Sequence, residues 1–186
     1  MTFSNGLKSQ IGNRNFLSPV GFRFILNRTP KVAFFSNQAL IPGFSLGTAI
    51  QPSYLKDIDR PGDKLTFNDF SLRFLVDEDL ENYNEIQKWM RGLGFPESLT
   101  EIYKFQKSNK TAPSDSKTLD LYSDGTLNVL TSNQVPNFKV KFKDLFPVSI
   151  SDLTFDATDT DIDYLTAEVT FKYTIYNLVD LNDNPL

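Results

Sequence analysis

TAEVTFKYTIYNL, residues 166–178, is the stretch on which the fold turns. Ala167, Val169, Phe171, Tyr173 and Ile175 alternate with Thr166, Glu168, Thr170, Lys172 and Thr174. Successive side chains of a strand point to opposite faces, so this alternation predicts a long strand half buried in a core. Val169, Phe171, Tyr173 and Ile175 are the expected core-facing residues, and the other face is built for water or a lumen.

Just upstream, DATDTDID (156–163) carries four aspartates, three of them at Asp159, Asp161 and Asp163. Alternate carboxylates can converge on calcium, but a helix–loop–helix calcium site needs Gly at its sixth position and Glu at its twelfth. Counted from Asp159, those positions are Tyr164 and Thr170, and a strand follows where a helix should. The segment reads as a solvated connection. No metal ligand is assigned.

Other strands show the same period. FRFILN (22–27) and KVAFFSN (31–37) read as short Phe-rich strands joined by a turn at Arg28-Thr29-Pro30. LTFNDFSLRFLV (65–76) places Phe70, Leu72, Phe74 and Val76 on one side. Asp124-Gly125 is a two-residue hairpin signal, although its flanks do not segregate cleanly by face. Lys139, Lys141 and Lys143 alternate with Phe138, Val140 and Phe142; they read as the solvated or interface face of a strand rather than a phosphate-gripping stripe. One segment changes period. Leu80, Tyr83, Ile86, Met90 and Leu93 predict a flanking helix over about 79–92, with acidic residues at its start and glycines at its stop. Trp89 on it is expected in the core.

Between Pro42-Gly43 and Pro61-Gly62, each expected to reverse the chain, lies a long excursion, residues 44–60. It holds Phe44, Leu46, Ile50, Tyr54, Leu55 and Ile58, which are awkward residues for a loop left in water.

Composition narrows the chemistry. With 186 residues the chain suits a single domain, 1–186, with residues 1–15 and 104–117 expected to be flexible. Seventeen Phe, seven Tyr and one Trp supply packing material. There is no Cys and no His, so thiolate and imidazole chemistry is excluded, and no catalytic or cofactor-binding residue is assigned. The net charge of −4 opposes non-specific attraction to nucleic acid. No stretch is long and apolar enough to read as a membrane anchor or a signal peptide, so a soluble, cytoplasmically made domain is expected. The glycosylation-like triplets at Asn27 and Asn109 carry little weight in that setting.

Two blocks now combine: RPGDKLTFNDFSLRFLVDEDLENYNEIQKWM (60–90) and FKDLFPVSISDLTFDATDTDIDYLTAEVTFKYTIYNL (142–178). Their order resembles the tail tube proteins of contractile-tailed bacteriophages, over most of residues 20–178. Baseplate tube initiators and the type VI secretion tube protein are related. The resemblance implies a mainly β fold, a two-sheet sandwich or half-barrel with one flanking helix. It also implies hexameric rings, stacked into a tube that conducts the genome without gripping it.

Implied partners are further copies of the chain, the tail sheath protein, a baseplate tube initiator, a tail terminator and a tape measure protein. The implied location is the virion tail, assembled in the bacterial host cytoplasm. Residues 44–60 become an extended inter-ring loop, with Phe44, Leu46, Ile50, Tyr54, Leu55 and Ile58 as interface candidates. Alternatives left open are a tube initiator of the same fold, a carbohydrate-binding β-sandwich of a phage or cell surface, and a carboxylate-dependent hydrolase.

Overall fold

A computed structural model of the chain describes residues 16–98, 100–101, 121–156, 158 and 164–186. Its elements run β1 (Phe22–Leu26), α1 (Pro30–Phe34), β2 (Ser36–Ala39), β3 (Phe44–Gln51), β4 (Ile58–Phe67), β5 (Phe70–Leu75), α2 (Glu81–Gly94), β6 (Ser123–Leu130), β7 (Pro136–Ile150), β8 (Thr166–Lys172) and β9 (Ile175–Val179). All but β3 and β4 belong to one antiparallel path, β1-β6-β7-β8-β5-β2, with β9 also on β7. The path folds into two layers because β7 serves both. Its first half pairs with β6 and β9, and its second half with β8.

Period two builds the core between the layers. Phe24 and Leu26, Phe70, Leu72 and Phe74, Leu127 and Val129, Val140 and Phe142, and Ala167, Val169 and Phe171 are all buried. Phe70 sits at the centre, its ring 4.5 Å from Phe142, 5.2 Å from Phe24 and 6.1 Å from Phe171. Rings at such separations add edge and offset attraction to the burial of their area.

β7 changes layers at Asp144, whose φ is 56°. The Asp144 amide donates to the Asp124 carboxylate at 3.3 Å, which supports the bend. Asp124-Gly125 therefore does not make the expected hairpin turn: both residues lie inside β6. Gly125 is paired with Leu26 on one side and Phe142 on the other, and a Cβ there would meet Leu145 Cδ1 at 2.5 Å. Glycine is used for close packing. The turn instead spans 131–135, closed by Thr131 N–H to the Val135 carbonyl, with Gln134 at φ 61°.

KVAFFSN also differs from expectation. Pro30 opens the short helix α1, where its missing N–H costs nothing, and the strand β2 begins only at Ser36. Consecutive Val32 and Ala33 are both buried, which a strand's alternation would not allow.

α2 follows the predicted period over 81–94 but is centred one step round, on Asn82, Ile86 and Trp89. The Asn82 side-chain amide donates to the Leu75 carbonyl at 2.8 Å, and its oxygen accepts from the Tyr83 amide at 2.7 Å. Asn82 thus fixes the helix start to the end of β5. Trp89 is buried against Phe171, and its indole N–H donates to the Leu121 carbonyl at 3.1 Å. Lys31 on α1 pairs with Glu81 at the start of α2.

The final strand is not continuous. It breaks after Lys172 and resumes at Ile175, and the break shifts the alternation by one residue. Val169 and Phe171 face the core, while Tyr173 is partly buried against it. On β9, Tyr176 pairs with Phe142 and Leu178 with Val140, whereas Ile175 pairs with Lys143. Residues directly opposed in a ladder share a face. Ile175, expected in the core, therefore lies on the lysine face and is 39% exposed.

That face is covered from within the chain. Asp183 binds Lys141 at 2.9 Å and Lys139 at 3.1 Å, while Lys139 also donates to the Leu181 carbonyl. Pro185 bridges to Val179, so the C-terminal residues fold back along the outer side of β9.

Two outcomes follow for stability. Phe171→Ala should destabilise the subunit by about 3–5 kcal/mol in urea unfolding, the range for a fully buried ring, whereas Thr170→Ala should change it little. Equal losses would place the strand inside out. The second outcome concerns acid. Hydrogen bonds from Lys141 and Lys139 hold the Asp183 carboxyl below the ordinary aspartate value, and the Asn184 amide does the same to Asp180. Because the folded values are the lower ones, the tail's attachment is complete above the ordinary range and is lost as pH falls through the depressed values. Proton–proton contacts between Pro185 and Val179 should fade on acidification before the core unfolds. A Lys139→Gln, Lys141→Gln variant should lack most of this dependence; an equal dependence in that variant would refute the ion-pair account.

Candidate functional site

Among the described residues, the remaining strands, β3 and β4, pair only with each other and form a separate two-stranded sheet. The stretch 44–60, read from sequence as a loop between two reversals, is thus most of a β-hairpin arm. Pro42-Gly43 leads into it, but Pro61-Gly62 is no reversal: both residues lie within β4. Leu46 pairs with Leu65 and Thr48 with Pro61, so three residues of β4 bulge opposite Gly47. Proline cannot donate to a ladder and is tolerated at such a bulge. A Cβ on Gly62 would lie 2.5 Å from the Gly47 carbonyl oxygen, so the two strands approach this closely only because residue 62 has no side chain.

Every candidate interface residue is on this arm, and all are solvent-exposed. Phe44 and Leu46 lie in its lower half, Ile50 and Ile58 near its end, and Tyr54 and Leu55 at its tip. The tip pair is fully open, at 101% and 93%. Ile50 pairs with Asp59 while Ile58 pairs with Gln51, so the two isoleucines face opposite sides of the ladder. The sequence reading missed Leu65, which pairs with Leu46 and is half exposed. Its signal was present in the alternation of Leu65 with Phe67, but the supposed reversal at Pro61-Gly62 had assigned those residues to the next strand.

Arg60 donates to Gln51 at 2.9 Å near the tip. A two-stranded hairpin is at best marginally stable alone in water. One that also displays Leu46, Ile50, Tyr54, Leu55, Ile58 and Leu65 is suited to burial against a further surface.

A second feature concerns the layer β2-β5-β8 and the end of β7. Its outward face carries Ser71, Arg73, Glu168, Thr170 and Lys172. Arg73 opposes Glu168 in the ladder, and Lys172 binds Asp69 at 3.0 Å, so positive and negative groups are matched. Among the described residues, β2 has β5 as its strand partner and residues 146–150 of β7 have β8. Among the described residues, each of these two strands thus has an outer edge with no strand paired to it.

No group of acidic residues able to hold a metal occurs among the described residues. Asp159, Asp161 and Asp163 lie outside them, while Asp156 accepts from the Thr158 hydroxyl and amide. The expected flexible segments, 1–15 and 104–117, also lie outside the described residues. No helix among the described residues is long and apolar enough to cross a membrane.

The family model for "Phage tail tube protein" matches residues 7–179. No curated protein matches the chain. Among solved structures, the tube-terminating cap of the anti-feeding prophage is similar with a TM-score of 0.60 and 12% identity, covering 95% of this chain and 99% of that one. A chain of the anti-feeding prophage baseplate gives 0.56 at 10% identity, covering 86% and 91%. A chain of the sheath–tube complex of an extracellular contractile injection system gives 0.55 at 14% identity, covering 90% and 94%. At these identities the solved structures speak for the fold, and the match of the family model across nearly the whole chain speaks for membership. This chain belongs to the phage tail tube protein family, whose members are structural components of the tail.

Proposed function

We propose that six copies of this chain close into a ring, and that rings stack through the β3–β4 arm into the inner tube of a contractile tail. The observation that carries this reading is the arm itself: a hairpin that leaves the sandwich and presents its apolar residues to solvent. Burial against the neighbouring ring would remove that surface from water and brace a hairpin that is marginal alone. Tyr54 and Leu55 are the proposed anchors, with Leu46, Ile50, Ile58 and Leu65 behind them and Lys56, Asp57 and Asp59 at a polar rim.

Within a ring, the outer edges of β2 and residues 146–150 of β7 are proposed to pair between neighbours. Closure of this kind satisfies both edges and leaves none for uncontrolled aggregation. The matched charges of Arg73, Glu168, Lys172 and Asp69 suit the layer to a lumen through which a polyanion slides without being trapped. The sheath, tape measure, initiator and terminator partners belong to this proposal, as do genome ejection and assembly in the host cytoplasm. The chain acts by assembly, and no catalytic role is proposed.

The test is electron microscopy of the purified protein beside a variant with residues 47–59 replaced by a short Gly-Ser linker. The parent should form long hollow tubes, and the variant should stay folded but stop at monomers or single rings. Normal tubes from the variant would refute the stacking role. Single rings from the parent would reassign the chain to a tube end, as an initiator or terminator of the same fold.

A further inference from the structure

The arm meets the sandwich at two feet, and each foot is held by one tyrosine. Tyr176 donates its hydroxyl to the Pro42 carbonyl at 3.0 Å, where the chain enters the arm. Tyr173 donates its hydroxyl to the Asn68 carbonyl at 2.8 Å, where the chain leaves it. The feet are tied to each other by the Asn68 amide, which donates to the Gly43 carbonyl at 3.0 Å. Above these bonds the rings interlock. Phe67 lies 6.1 Å from Tyr173 and 5.8 Å from Tyr176, Phe44 lies 6.5 Å from Tyr176, and both tyrosines contact the buried Phe142 at 5.3 and 5.8 Å.

We propose that Tyr173 and Tyr176 are positioning residues for the arm, their two hydroxyls fixing the angle at which it leaves the sandwich. Three features carry this. Tyr173 lies in the break between β8 and β9 and Tyr176 just after it, where the chain passes from one layer to the other, so a single segment references the arm to both. The acceptors are main-chain carbonyls, which move only if the arm's own backbone moves. Packing alone would be served as well by phenylalanine, the residue this chain uses at Phe24, Phe70, Phe74, Phe142 and Phe171. Burial, with Tyr176 and Asp69 nearby, also pushes the Tyr173 phenol up to about 12, so it stays a hydrogen-bond donor across the physiological range. An arm of fixed direction can meet a neighbouring ring without first paying the entropy of being ordered. The inference rests on the stacking role proposed above.

The absence of cysteine allows a direct measurement. Ser53→Cys in the arm and Ser132→Cys in the β6–β7 turn would carry a pair of spin labels, in the parent and in Tyr173→Phe, Tyr176→Phe and double variants. Phenylalanine keeps the rings and removes only the hydroxyls, so the melting temperature of the sandwich should change little. Each lost hydroxyl should raise the population with the arm displaced about fivefold, as for one neutral hydrogen bond. The label–label distribution of the double variant should broaden accordingly, and its tube growth should slow. A double variant with the parent's distribution would overturn the proposal, whatever its melting temperature. A broadened distribution with normal growth would uphold the clamp and refute the stacking role, because loss of arm direction would then not matter for assembly.

Discussion

Between Lys172 and Ile175 the chain stops pairing with β5 and the end of β7 and starts pairing with the beginning of β7. Much of the architecture depends on this crossing. It shifts the alternation so that Phe171 and Tyr176, separated by an odd number of positions, both face inward. It also brings Tyr173 and Tyr176 beside Phe142, under the feet of the arm. The bend of β7 at Asp144 is its counterpart on the neighbouring strand. The Thr174 amide donates to the Lys143 carbonyl at 3.0 Å, one residue before that bend. Two adjacent strands thus change layers side by side, and the core of Phe24, Phe70, Phe142 and Phe171 fills the space they enclose.

This arrangement separates the duties of the chain. The sandwich is self-sufficient: its apolar alternation is spent inward, and its C-terminal residues cover the lysines of β7 with Asp183. The arm and the edges of the second layer are not. Exposed apolar side chains on a hairpin held only at its base, and strand edges unpaired among the described residues, are hazards in a monomer, and both would be removed in the closed, stacked assembly proposed above. The surfaces suited to a structural component of a tail tube are thereby supplied by backbone edges and apolar side chains.

The sequence made the core legible because strict alternation has one structural solution. Phe70, Leu72, Phe74, Val169 and Phe171 are buried where period two puts them. The helix was equally plain, its face displaced only because Asn82 replaces an apolar residue with a fitted polar one. Signals based on glycine and proline misled, since they report a local backbone or packing need without naming it. Gly125 makes room for Leu145, and Pro61-Gly62 makes a bulge, yet both dipeptides also suit turns. Pro30 marked a helix start rather than a turn before a strand. Ile175 was misplaced because a two-residue break leaves no mark in an alternation that continues on either side. The arm was half legible: its apolar residues stood out, but its strand pairing depended on a register that only the folded chain reveals.

The central claim is that the arm finds its partner surface only in the assembly. Amide hydrogen exchange of the arm, compared between dissociated subunits and assembled tubes, tests it most directly. Open hairpins exchange quickly, whereas ladders buried under a neighbour are protected. The account predicts fast exchange over residues 50–58 in the free subunit and strong protection in the tube, with the amides of Leu127, Val140 and Val169 protected in both. Arm amides that exchange as fast in tubes as in free subunits would contradict it.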